Sequence, residues 1–144
     1  MIVAVGFDHA GFPLKQTVLD AVHNAGHEPI DLGTHSADPV DFPDFTEKVG
    51  RAIQNGEAER GILCCGSGIG ACIAANKMKG VFAGLCHDTY SAAQGVEHDD
   101  MNVLCLGARV VGEGLAVSIM RTFLRAEFEG FAESRHHRAA HAAI

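Results

Sequence analysis

The chain is 144 residues long, 47% of them hydrophobic, with a formal net charge of −7 when histidine is neutral. That length suits one domain around one core, and the negative charge argues against a general nucleic-acid binder. No apolar run approaches the roughly 20 residues that cross a bilayer, so neither a nucleic acid nor a membrane is expected as a partner.

The first run, IVAVGF (Ile2–Phe7), is apolar, follows no basic segment and turns polar at Asp8. It reads as a strand rather than a signal peptide. Pro13 suits a first helical turn, Leu14, Val18, Ala21, Val22 and Ala25 form an apolar stripe, and Gly26 suits the stop. A second strand, EPIDLG (Glu28–Gly33), leads into a loop-like stretch, THSADPVDFPDF. Three further β-rich runs follow: GILCCG (Gly61–Gly66), VFAGLCH (Val81–His87) and NVLCLG (Asn102–Gly107). Each precedes a turn and helix-like spacing, and after the last one Leu115, Ile119, Met120, Phe123 and Leu124 line another stripe. Residues 129–144 form a basic, histidine-rich tail on an otherwise acidic chain.

Alternating strand and helix patterns predict an α/β fold: a single doubly wound, Rossmann-like domain over residues 1–144 with a five-stranded parallel sheet. The expected strand order is 2-1-3-4-5. Strands one, three, four and five are nearly all apolar, which predicts burial on both faces. Ligands of such folds sit outside the carboxyl ends of the strands, near the switch between strands one and three. The loops at those ends, DHAGF, GSGIG, HDTYS and ARVVG, therefore carry the functional expectation.

Five cysteines are present, an odd number, mostly in apolar runs of a chain large enough to need no staples. Free thiols and a reducing cytosol are expected. Cys64, Cys72, Cys86 and Cys105 read as core packing. No C-x-x-C pair exists to build a zinc ribbon.

GSGIGA, Gly66 to Ala71, matches G-x-G-x-x-A, with Asp88 about twenty residues on. This could be a dinucleotide fingerprint, although it lies in the third strand unit and follows a cysteine. What the loop offers is several backbone N–H groups aimed at one space where a helix begins, a site for a phosphate or for an oxyanion formed during reaction. Ser67 adds a hydroxyl. Cys65, beside that helix start, is either a small buried residue at a tight turn or a thiol whose thiolate is favoured. Asp8 and His9 end strand one, where Asp8 either caps a helix or serves chemistry. Arg109 follows strand five at the ligand edge. Arg135 and Arg138 flank His136 and His137 in a tail that reads as a phosphate clamp or a solvated end. His137 and His141, spaced i, i+4, lack a companion ligand, so no metal is expected.

With these residues assembled, the chain resembles the type B ribose-5-phosphate isomerases, a family that also holds allose-6-phosphate and galactose-6-phosphate isomerases. The resemblance runs from about Ile2 to Arg138 and rests on DHAGFPLK, DFPDF, GILCCGSGIGACIAANK, HDTYSA, EHDDMNVLCLGARVVG and the arginine-bearing tail. It implies an aldose–ketose isomerisation of a phosphosugar, ribose 5-phosphate to ribulose 5-phosphate, through a cis-enediolate and without cofactor. Cys65 would be the base, and Ser67 with the amides of Gly66, Gly68, Ile69 and Gly70 would hold the enediolate. His98 would open the furanose ring, partnered by Asp8. His9, Arg109, Arg135 and Arg138 would hold the phosphate, and Asp99 and Asn102 would line the sugar site. It further implies a homodimer with shared active sites, in which His98 and the tail arginines face a neighbour's Cys65.

Three places depart from the family pattern. Ser67 stands where many members carry threonine, Asp99 where asparagine commonly follows the histidine, and Arg138 follows Arg135 by three residues rather than four. A six-carbon substrate, a dinucleotide-binding module built on Gly66, Gly68, Ala71 and Asp88, and a binding-only or redox-sensing protein using Cys65 are the competing readings.

Overall fold

The computed structural model describes residues 1–130. Five strands form: β1 (Ile2–Phe7), β2 (Glu28–Asp31), β3 (Arg60–Cys65), β4 (Ala83–Leu85) and β5 (Val103–Gly107). All pair in parallel. They alternate with α1 (Lys15–Asn24), α2 (Phe42–Gln54), α3 (Ile69–Asn76), α4 (Thr89–Asp99) and α5 (Glu113–Arg125).

The local signals hold with instructive exceptions. Pro13 sits in a 3-10 turn, Phe12–Leu14, leading into α1, whose buried face is Val18, Ala21 and Val22 with Leu14 just before it. Ala25 is exposed beyond the last turn, and Gly26 stops the helix at φ +86°. On α5, Leu115 is 46% exposed while Ala116 takes the buried place beside Ile119, Met120, Phe123 and Leu124. Helix α2 starts at Phe42, inside the stretch expected to be loop. Pro43 there occupies the first turn, where its missing N–H costs nothing, and Asp44 faces the positive helix end.

The sheet order corrects the expectation: it is β2-β1-β3-β5-β4, not 2-1-3-4-5. All five residues of β5 are buried, so it needs a neighbour on each side, which β3 and β4 supply. β4 has only three residues, none fully buried, with Leu85 36% exposed, and it suits an edge. The swap also moves a helix. Right-handed crossovers require the helix after a rightward step and the helix after a leftward step to lie on opposite faces. Because β4 steps back to β5, α4 joins α1 and α5 on one face, around Val5, Ile62, Leu104 and Phe123. Helices α2 and α3 cover the other, around Ala4, Leu63, Val49 and Ala75. Arg60 ties the start of β3 to the end of α5. Its guanidinium lies over the Phe123 ring and donates to the Ala126 carbonyl at 2.6 Å, capping α5.

Candidate active site

β3 ends in two adjacent cysteines that point to opposite faces because side chains alternate along a strand. Cys64 enters the core under α1 and α5, and Cys65 enters the one under α2 and α3. Burial pushes the Cys64 thiol far above the ordinary range and the Cys86 thiol up to about 11. Cys105 is raised as well, first by its hydrogen bond with Cys72 and then by burial, and the same bond brings Cys72 down to about 7. All five cysteines are free.

After Cys65 the chain turns sharply. Gly68 adopts φ +82°, open to glycine at little cost, and forms the N-cap of α3. Its amide donates to Cys65 Sγ at 3.1 Å, and the Ile69 amide donates to Ser67 Oγ at 3.2 Å. The loop is stitched to the end of β5, where Ala108 N donates to the Cys65 carbonyl at 2.9 Å and Arg109 N to the Gly66 carbonyl at 3.0 Å. Gly107 must be glycine for space, since a Cβ there would sit 2.6 Å from the Ser67 carbonyl oxygen.

These elements open onto a cavity of about 430 Å³ lined by Asp8, His9, Cys65, Gly66, Ser67, Gly70 and Arg109, with Ala10, Phe42 and Val110. The guanidinium of Arg109 lies over Gly66, 3.4 Å from where a Cβ would stand. His9 Nδ1 lies 3.1 Å from the Val40 amide and 3.2 Å from the Val40 carbonyl oxygen, which anchors the ring on the segment before α2. Asp8 is 8% exposed, and its Oδ1 accepts from the Gly11 amide at 2.8 Å, closing the turn before α1. Asp8 therefore caps neither the 3-10 turn nor α1, whose N-caps are Gly11 and Leu14, but closes the turn between them and β1 and borders the cavity. Phe42 went unrecognised in the sequence. Its ring fills the space over Gly70, 2.8 Å from a hypothetical Cβ, and the only hint was its place in DFPDF.

The other expected residues lie elsewhere. His98 is in the last turn of α4, at the amino edge of the sheet, opposite Cys65. Its Nδ1 meets the Gln94 side chain at 3.2 Å, and its Nε2 lies 3.5 Å from Glu129 Oε2. Asp8 and His98 thus do not meet within one chain. Asp99 ends the same helix and borders a separate hollow with Gly95 and Met101. Asn102 precedes β5 and lies about 16 Å from Gly107 at the rise of a parallel strand. Its side chain accepts from Phe82 N at 2.8 Å and donates to the Gly80 carbonyl at 3.0 Å, pinning the edge strand. Asp88 caps α4, its Oδ1 accepting from Ser91 N at 2.6 Å. Arg135 and Arg138 lie outside the described residues, as do His136, His137 and His141.

A doubly wound α/β domain here sets a thiol, a hydroxyl, an imidazole and a guanidinium around one cavity at its switch point, groups that suit an anionic ligand. The chain belongs to the Ribose/Galactose Isomerase family, which matches it over residues 3–142. Ribose-5-phosphate isomerase B of Escherichia coli (strain K12) is 44% identical over 128 residues, covering 89% of this chain and 86% of that protein. D-erythrulose-4-phosphate isomerase of Pectobacterium atrosepticum is 43% identical over 132 residues, covering 89% and 85%. The solved structure of Trypanosoma brucei type B ribose 5-phosphate isomerase superposes with a TM-score of 0.91 at 45% identity, covering 96% of this chain and 93% of that one. Among the described residues, no helix is long and apolar enough to cross a membrane.

Proposed function

We propose that this protein interconverts ribose 5-phosphate and ribulose 5-phosphate in the cytosol, moving a proton between C1 and C2 through a cis-enediolate. The observation that carries this reading is the Cys65 thiol at the mouth of the β3–α3 loop, bordering the same cavity as Ser67, His9 and Arg109. Cys65 as thiolate takes the proton from C2 of the open-chain aldose and returns it at C1, while the C2 hydroxyl proton passes to O1. The charge that leaves carbon collects on the two enediolate oxygens, where the Ser67 hydroxyl and the Gly66–Gly70 amides other than those of Gly68 and Ile69, which bond Cys65 Sγ and Ser67 Oγ, stabilise it more than they stabilise the ground state. Arg109 and His9 hold the phosphate, with Arg135 and Arg138 of the tail, and that remote grip positions the reacting carbons.

Among the described residues, His98, the expected ring-opening group, stands at the edge opposite this cavity. A homodimer that brings His98, with Asp99 and Asn102, to the neighbour's Cys65 resolves this. An exposed apolar side chain at the cavity supports such pairing: Val110, which lines it, is 58% exposed.

The test is an NMR time course with ribose 5-phosphate in D₂O, with no added metal or nucleotide. Ribulose 5-phosphate carrying solvent deuterium is the expected product. The likeness to a D-erythrulose-4-phosphate isomerase brings a four-carbon substrate into the same assay, beside allose and galactose 6-phosphates. Faster turnover of any of these keeps the proton transfer and moves the substrate. No turnover of any of them rejects the reading.

A further inference from the structure

The HDTYSA stretch has no role in the reaction as derived so far, yet its first residue touches the cradle from behind. His87 follows β4, and its Nε2 accepts a hydrogen bond from the Gly107 amide at 3.0 Å. We infer that His87 is a positioning residue, locking the loop that carries Arg109 against the Cys65 loop. The inference rests on the phosphate role of Arg109 proposed above.

The geometry is a chain of short links. Gly107 packs so closely on the cradle that a Cβ would stand 2.6 Å from the Ser67 carbonyl oxygen and 2.9 Å from that of Gly66. Its own carbonyl accepts from Val110 N at 2.9 Å and Val111 N at 3.1 Å, which closes the turn containing Arg109. Ala108 N and Arg109 N are committed to Cys65 and Gly66. Gly107 is buried, so its amide needs a partner, and the imidazole meets that need. The ends of β3, β4 and β5 thereby become one hydrogen-bonded unit. An acceptor at Nε2 also requires the neutral ring with its proton on Nδ1, because a proton on Nε2 would face the amide donor.

Removing the ring leaves a buried N–H unpaired beneath the Arg109 turn. Water can partner that amide, but it does not fix the turn as an imidazole anchored on β4 does. The loss should fall on substrate affinity. His87→Ala is expected to raise KM for ribose 5-phosphate about tenfold, with a smaller change in kcat. His87→Gln, whose carbonyl oxygen can accept the same bond, should stay within about twofold of the native KM. A lowered kcat at unchanged KM in His87→Ala would mean only a smaller active fraction, and it would overturn the inference. Arg109→Ala measured alongside separates the two claims. A raised KM in Arg109→Ala with a native KM in His87→Ala rejects the His87 role alone. A native KM in Arg109→Ala rejects the phosphate role and the inference with it. Independently of turnover, the long-range ¹H–¹⁵N spectrum of the ¹⁵N-labelled protein, assigned by the signals lost in His87→Gln, should place the ring proton on Nδ1. A proton on Nε2 overturns the inference whatever the kinetics.

Discussion

The two edges of the sheet use their polar residues differently. At the carboxyl edge, Asp8, His9, Cys65, Ser67 and Arg109 border one cavity, and the loops that carry them are bonded to one another. At the amino edge, His98, Asp99 and Asn102 are dispersed. Asn102 pins β4 and His98 sits between Gln94 and Glu129. Both sets are expected in one active site, yet the parallel sheet holds them apart by the length of its central strands. In the homodimer proposed above, a second copy joins the two sets by symmetry.

The sharpest way to break this comparison is to remove the proposed base. Cys65→Ala should lower turnover by about 10³-fold, within the range for a general base, while substrate still binds by calorimetry. Substantial residual activity would strip the carboxyl edge of its defining residue. Next in size is a mixing experiment. Cys65→Ala and His98→Asn should each be inactive on the closed sugar, yet a refolded equimolar mixture should recover about a quarter of native activity, because one site in each mixed dimer is intact. No recovery would place both residues in the same chain's site and contradict their separation across the sheet.

Two smaller effects sharpen it. Asn102→Ala removes two hydrogen bonds to the Gly80–Phe82 segment and should cost about 1–3 kcal/mol, read as a fall of several degrees in Tm. A changed KM at native Tm would show instead that Asn102 serves the sugar first. Last, alkylation of Cys72 in the Cys65→Ala background should rise with pH through about 7, where its thiolate forms, while Cys64 and Cys105 stay unreactive. Cys72 reacting only at alkaline pH would remove the hydrogen bond to Cys105 as the cause of its acidity.

Much of the carboxyl edge was legible because its signals are local. A cysteine before GSGIG, a charged pair closing an apolar strand and an arginine after another are each set by a few neighbouring residues and by where a strand must stop. Phe42 was not legible, because its partner over the cavity is Gly70 on a different helix. Asn102 was not, because its partners, Gly80 and Phe82, belong to the approach to another strand. His87 was not, because the amide it serves lies twenty residues away.

The sequence by itself determined the parallel five-stranded class, the two wound faces, the helix start at Pro13 and stop at Gly26, and the donor groups that the GSGIG loop offers. Those follow from periodicity, backbone dihedral limits and donor inventory, which act over one or two turns of chain. Only the tertiary structure decided that β5 lies between β3 and β4, that α4 therefore crosses to the α1 and α5 face, and that His98 ends up across the sheet from Cys65. Which strand takes the edge depends on burying whole strands against one another. That competition is among elements distant in sequence, so no local pattern encodes it.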